Sequence, residues 1–299
     1  METLFALAGL AEILAILSSV TYAVSQALVR LGMRNATPFG AALVVNGCTA
    51  AGGIILSLRD GTLLASTFWP LFWYAMIGVV GPGIGRLFGY IGIIRIGLSR
   101  SITISSSTPI WGIAFAALIL REAPGPGIIL GTLAIVAGVV ILSPTGGERE
   151  RLGGWFQGAL IYPVICSLAY ALPPILSKLA YAHQRTPYVG MAVAFSVGNL
   201  TILAFKAISP GRVRLSIGRQ AWRWFLLGGA CSCLSSILLW NAILIGSVSP
   251  TLPLSRMVPL WVLLISYFFL GQIERITRRD VAATLLVAAG GALITAFRI

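Results

Sequence analysis

Charge is in short supply along this chain: only 10% of its 299 residues are Asp, Glu, Lys or Arg. Soluble domains carry about a quarter, so the composition excludes an ordinary water-soluble protein. Acid is scarcer still. Eight carboxylates (Glu2, Glu12, Asp60, Glu122, Glu148, Glu150, Glu274 and Asp280) stand against 21 Lys and Arg, and His183 is the single histidine. Only Glu12 falls within an apolar run. Proton-driven carriers usually rely on an intramembrane Asp, Glu or His, so simple proton antiport is disfavoured, with Glu12 as the one candidate for it. Catalytic signatures are missing too. No H-E-x-x-H, G-x-S-x-G or P-loop occurs, so neither enzymatic activity nor ATP-driven pumping is expected of this chain. The four cysteines, Cys48, Cys166, Cys231 and Cys233, lie in apolar runs, and the Cys-x-Cys at 231–233 has no second pair. They read as small packing residues, with no metal, disulfide or cofactor expected.

What the chain has is apolar residue: 58% of the total, with mean hydropathy +0.94. Runs of roughly 18–23 apolar residues recur, each long enough for a hydrocarbon core about 30 Å thick. They predict an all-α integral membrane protein with ten spans at 7–29, 39–58, 70–92, 101–120, 126–143, 156–179, 188–207, 223–245, 250–270 and 279–297. The first run follows Met1-Glu2-Thr3 without a basic stretch, so it is expected to stay as a helix and not to be cleaved as a signal. The net charge of +13 does not point to nucleic acid, because the basic residues cluster at span ends and in short loops, where they anchor and orient helices. Lipid is the expected surround.

The chain also repeats itself. Residues 97–111 and 247–261 match at an offset of 150, aligning Ser99, Ser105, Pro109 and Trp111 with Ser249, Ser255, Pro259 and Trp261. Ser19, Tyr22 and Ala23 align with Ser167, Tyr170 and Ala171, Thr37-Pro38 with Thr186-Pro187, and Glu122 and Gly138 with Glu274 and Gly290. The polar stretch 144–154 divides the copies, giving units 1–147 and 148–299. A unit of five spans is odd, so the second must enter the membrane upside down. The expected architecture is two inverted five-helix repeats around a central cavity. On the side holding both termini the loops carry Arg59, Arg121, Lys178, Arg185 and Arg298. Every other basic residue except Arg86 and Arg256 falls on the opposite side. By the positive-inside rule that opposite side is cytoplasmic.

Arg86 and Arg256 lie within predicted spans. A charge at depth costs at least about 2.5–3.5 kcal/mol on insertion scales and normally faces protein or a wet cavity. Arg86 ends Gly81-Pro82-Gly83-Ile84-Gly85-Arg86, where the helix is weakened; Arg256 follows Pro250 and Pro253 and precedes Pro259. Both are candidates for the substrate path, where guanidinium holds carboxylate or phosphate in bidentate fashion; the bland alternative is that one snorkels to the interface. Mid-span aromatics Tyr22, Tyr90, Tyr170 and Trp240, with Trp111 and Trp261 and the amides Asn241, Asn46 and Asn199, are candidates for the wall of a small-molecule site, against membrane-facing or interfacial roles. Ser105, Ser106 and Ser107, beside Thr108-Pro109, either satisfy carbonyls freed by proline or line the pathway. Glu122 and Glu274 read as helix-start or loop-pairing carboxylates.

Leu98-Ser99 through Pro109-Ile110-Trp111, Leu120-Arg121-Glu122 and Gly131 to Gly138, echoed by Ser249, Pro259, Gly271 to Glu274 and Gly290, resemble the drug/metabolite transporter superfamily, in particular proteins with two EamA-type units. That resemblance implies ten helices in two inverted units and a cavity between them. It also implies both termini in the cytoplasm, opposite to the charge count. The resulting expectation is a multi-pass secondary carrier in a bacterial or archaeal cell membrane. It would move small organic metabolites by alternating access, with anionic substrate on Arg86 or Arg256 and a counter-substrate or coupling ion as partner. The alternative is an exporter or facilitator of neutral or aromatic amino acids with structural arginines; a lipid-handling protein ranks third.

Overall fold

In hydrocarbon the backbone must satisfy its own hydrogen bonds, and this chain does so with helices. The computed structural model describes residues 2–33, 36–96, 104–105, 107–142, 160–208, 215–258, 260–261 and 278–296. Among these residues the only β feature is one isolated bridge, Ala36 with Ile217. The helices are α1 (Glu2–Gly32), α2 (Pro38–Arg59), α3 (Phe68–Gly78), a π-helical segment (Val79–Gly85), α4 (Arg86–Ile96), α5 (Thr108–Ile119), α6 (Pro126–Leu142), α7 (Ile161–His183), α8 (Pro187–Ile208), α9 (Ala221–Ile245), α10 (Val248–Ser255) and α11 (Arg278–Ala296). Among the described residues, six stretches are long and apolar enough to cross a membrane: Gly9–Val29, Phe39–Arg59, Phe68–Gly89, Ile161–His183, Pro187–Ile208 and Ala221–Ile245. The fourth and fifth expected spans contain the shorter apolar helices Thr108–Ile119 and Pro126–Gly138. Residues 262–270 of the ninth expected span lie outside the described residues, as does Glu274.

Local chemistry sets the helix ends. Thr37 accepts the Gly40 amide through its hydroxyl at 3.3 Å, and Pro38 occupies the first turn of α2, where a missing N–H costs nothing. α3 and α4 form one rod whose middle widens to a π-turn at Val79–Gly85, around Pro82. Pro82 cannot donate to the α-ladder, and the wider turn accommodates it. α7 keeps Pro173 and Pro174 in its interior, and the Ser177 hydroxyl donates to the Pro173 carbonyl at 2.8 Å. α5 ends where Arg121 takes a left-handed backbone, φ 55°, and the Glu122 amide bonds back to Ala116 at 3.2 Å.

Helix pairing follows the sequence repeat. α1 packs on α9, and its mate α7 packs on α3, the π-segment and α4. α1 also touches α10, as α7 touches α5; α2 touches α9, as α8 touches α3. Among the other pairs, α2 with α8 and α6 with α11 each join an element to its own counterpart, while α5 on α10 joins segments of the fourth and ninth expected spans. Between α6 and α11 the backbones nearly touch: a Cβ on Gly131 would stand 2.5 Å from the Gly290 carbonyl oxygen, and one on Gly290 2.5 Å from that of Gly131. Small residues permit this approach.

Loops tie the halves at both ends. The Thr37 amide donates to the Ser216 carbonyl at 2.9 Å. At the other end Gln184 accepts the Thr67 amide (3.3 Å) and donates to the Ala65 carbonyl (3.1 Å). The outer surface is apolar, with Leu64 87% and Phe68 70% exposed. Trp69 and Trp222, also exposed, stand near the starts of α3 and α9, as an interfacial belt requires.

Candidate functional site

Arg86 opens α4 where the π-segment ends, so the widened turn delivers its side chain between α2 and α7. Its Nη1 donates to Asn46 Oδ1 at 2.7 Å and its Nε to the Tyr170 hydroxyl at 3.4 Å. Asn46, on α2, is fully buried at 0% exposure. Tyr170 sits beside Gly85, where an added Cβ would stand 3.2 Å from the ring. Arg256 reaches the same tyrosine from the end of α10. Its Nη2 donates to the Tyr170 carbonyl at 3.4 Å, and its guanidinium carbon stands 5.5 Å from the ring centroid, within the range of a cation–π contact. Both arginines and Tyr170 keep partial exposure although they join α2, α4, α7 and α10. Tyr22, the repeat mate of Tyr170, lies within electrostatic reach of it. Cys166, one turn earlier on α7, hydrogen-bonds Ser105 and feels both arginines.

A second layer of hydroxyls flanks this cluster. Trp261 Nε1 donates to Ser19 Oγ at 2.7 Å. In the other repeat, Trp111 Nε1 donates to Ser107 Oγ at 3.3 Å, and Ser107 shares a 2.8 Å hydrogen bond with Ser167, the mate of Ser19. One tryptophan therefore meets its serine directly and the other through a relay. On the outer side, Glu122 reaches from the α5–α6 loop to the start of α10: it accepts the Val248 and Ser249 amides at 2.8 Å each and the Ser249 hydroxyl. That is the capping role expected of it, made across the halves.

Of the ten candidates, Arg86, Arg256, Tyr170 and Tyr22 come together, while Trp261 is anchored on Ser19 and Trp111, 37% exposed, through Ser107 on Ser167, each serine one turn before its tyrosine. Trp240 and Asn241 do not join. Trp240 is 6% exposed and packs edge-on against Tyr74 and Tyr181 at centroid distances of 5.8 and 6.5 Å, so its faces are used in the core. Asn241 donates to the Ile237 carbonyl of its own helix at 2.8 Å. Ser106 lies outside the described residues, as does the side chain of Tyr90. Sequence reasoning did not single out Cys166 or the pair Ser19 and Ser167 for the site, although that pair already stood out as repeat mates; Asn46 and Ser107 were among the polar residues weighed for the cavity. Glu12 is buried in α1 at 5% exposure, near the end where Ala11 meets Gly246. No group of three or more metal-ligating side chains occurs among the described residues.

The EamA-like transporter family profile matches residues 9–143 and again 157–296. The chain belongs to the EamA-like transporter family. Two consecutive matches account for the sequence repeat, and EamA membership with six apolar rods makes this a multi-pass membrane protein of the drug/metabolite transporter type, a transporter of small molecules. One solved crystal structure superposes with a TM-score of 0.79, over 97% of this chain and 99% of that one, at 17% identity. At that identity the likeness speaks for the fold alone. Among curated proteins none matches the chain.

Proposed function

We propose that this EamA protein is a secondary carrier of small organic anions, working by alternating access between two inverted five-helix units, 1–147 and 148–299. The observation that carries this reading is the convergence of Arg86 and Arg256 on Tyr170. Reciprocal pairing supports the inverted arrangement: a two-fold between halves makes each contact recur with mates exchanged, as α1 on α9 recurs in α7 on α3 and α4. Partial exposure of two intramembrane arginines supports a wet chamber between the units, since lipid would be a costly neighbour for guanidinium. Rocking would bend the rods where π-segment and prolines interrupt them, at Val79–Gly85 and at Pro173-Pro174. Exchange against a counter-substrate or coupling ion completes the cycle, and the cell membrane is its place. No catalytic step is proposed.

Sealed vesicles containing the protein test this. Arg86→Gln and Arg256→Gln should each reduce uptake of an anionic metabolite by about tenfold or more, with little change for a neutral analogue of the same skeleton. Equal losses for both would overturn the anion reading. A second reading has one observation in its favour: Arg86 is already engaged by Asn46 and Tyr170, as a structural arginine would be. On that reading the cargo is a neutral or aromatic amino acid, and the same assay would show it.

A further inference from the structure

Arg219 and Arg223 stand at the unfavourable end of a helix. They flank the start of α9, whose first turn carries no acid and whose preceding residue, Gln220, gives no side-chain cap. A helix N-terminus is positive, so it disfavours cations and draws anions. Both arginines are exposed, and among the described residues neither makes a hydrogen bond or ion pair. The carboxylates with described side chains lie at the opposite end of the rods. Glu12 is near the Ala11–Gly246 contact, Asp60 follows α2, and Glu122 holds the start of α10. Asp280 opens α11, which packs on α6.

Helical spacing puts both cations on one stripe. Gln220 already has a helical backbone (φ -72°, ψ -25°). Arg219, Trp222, Arg223, Leu226 and Leu227 therefore recur at i, i+3, i+4, i+7 and i+8 and share a face. All five are exposed, and Leu234, two turns on, continues the row. The opposite face is occupied by α1 and α2, where Phe225 packs on Gly32 and Gly229 on Cys48. The outward row thus runs from guanidinium through indole to leucine. Leu226 to Leu234 covers about 12 Å along the axis, most of the hydrocarbon of one leaflet.

The sequence repeat supplies a comparison. At the offset of 150, Arg219, Trp222, Arg223 and Leu226 fall on Trp69, Phe72, Trp73 and Met76 of α3. Trp69, Phe72 and Met76 are exposed as their mates are, but this stripe carries no cation. Tryptophan alone suffices to anchor a helix at an interface, so the arginine pair is an addition that anchoring does not require. A bias of basic residues toward one side asks for charge at this end. It does not ask for two unpaired charges on the lipid-facing row of one helix, against its dipole.

We infer that this stripe binds an anionic phospholipid. Arg219 and Arg223 hold the phosphodiester, the Trp222 indole lies at the level of the esters, and the acyl chains run down Leu226, Leu227 and Leu234. Guanidinium matches phosphate oxygens in bidentate fashion. A lipid fits and a soluble phosphate does not, because charge passes into apolar surface along one unbroken row. This site is separate from the cargo site, and its test is independent of the carrier reading.

Native mass spectrometry of the delipidated full-length protein, titrated with dioleoyl phosphatidylglycerol or dioleoyl phosphatidylcholine, tests it. The first phosphatidylglycerol should bind about fivefold or more tighter than phosphatidylcholine. Replacing both arginines (Arg219→Gln with Arg223→Gln) should abolish that preference, and Arg219→Gln alone should lose part of it, which keeps the test decisive if the double variant misfolds. Arg59→Gln with Arg185→Gln, at the other end, should leave the preference intact. Inorganic phosphate at millimolar concentration should not displace the lipid. Equal affinity for the two lipids in the unmodified protein overturns the proposal, as does a preference that survives loss of both arginines. Displacement by inorganic phosphate, or an equal loss in the Arg59 and Arg185 variant, overturns it as well.

Discussion

Tyr170 is the residue on which two charges depend. Its hydroxyl receives Arg86 and its ring and carbonyl receive Arg256, so the two contacts can be separated by mutation. Tyr170→Phe keeps the ring under Arg256 and removes only the acceptor for Arg86. A hydrogen bond to a charged group contributes about 1.5–3 kcal/mol, and at 3.4 Å this one belongs at the low end. Initial uptake rates of an anionic substrate should therefore fall roughly tenfold, with Tyr170→Ala losing more. An unchanged rate would mean that the Tyr170 hydroxyl contributes little to holding Arg86. Ser19→Ala removes the acceptor for the Trp261 indole and should lower stability by about 1–2 kcal/mol, read as a thermal midpoint lower by a few degrees in detergent. Arg86 and Arg256 were legible in the sequence because a charge inside an apolar run has few bland explanations. Asn46 was legible only as one of several mid-span amides: asparagine in a membrane helix has many uses, and the 2.7 Å contact with Arg86 separates this one from Asn199, whose Nδ2 donates to the Leu43 carbonyl. Trp240 misled because mid-span position says nothing about which neighbours fill the space around a ring.

At the scale of elements, α10 is short, contains Pro253, and depends on a carboxylate from the other half for its start. Glu122→Gln replaces one accepting oxygen with an NH2 donor and so loses at least one of the three hydrogen bonds, and Glu122→Ala removes them all. Capping losses run about 0.5–2 kcal/mol, so stability should fall in that range for Gln and at or above its top for Ala. Because α10 leads directly to Arg256, substrate affinity should fall with it, a coupling that binding to the purified variants would detect. Gly131→Leu addresses a different joint. With 2.5 Å to the Gly290 carbonyl, any side chain must push α6 and α11 apart; overpacking of this kind costs about 1–3 kcal/mol, and a normal thermal midpoint would contradict the close approach. Helix ends were readable where capping chemistry was local, as at Thr37-Pro38. The π-turn was visible only as a Gly–Pro weakness, since glycine and proline predict a break without saying how the backbone accommodates it.

For the whole molecule, the repeat was the most legible feature, because serine, proline and tryptophan recur at one spacing. Hydropathy could not supply the pairing of helices, which depends on which faces meet. The loop ties agree with an alternating path: Thr37 meets Ser216 at one end, and Thr67 meets Gln184 at the other. A single cysteine at Asp60 or Gln184, introduced into a chain whose own four cysteines are replaced by alanine, should react with an impermeant maleimide from one compartment. Cysteine at Arg219 should react only from the other. The compartment in which position 219 reacts decides between the charge rule, which puts it inside, and the family expectation, which puts the termini there. Labelling of all three from the same face would refute the alternating path.

The unequal tryptophan anchors bear on energetics. Trp261 reaches Ser19 unaided, whereas Trp111 reaches Ser167 through the Ser107 hydroxyl; the residue matching Ser107 in the second repeat is Met257, whose thioether cannot relay a proton donor. A carrier whose halves exchange roles therefore cannot rebuild the same bonds in mirror image. Its two end states would differ by about one hydrogen bond, on the order of 1 kcal/mol, or roughly a fivefold bias in occupancy. The resting protein would thus wait with its door toward one compartment, before any gradient tells it which way to face.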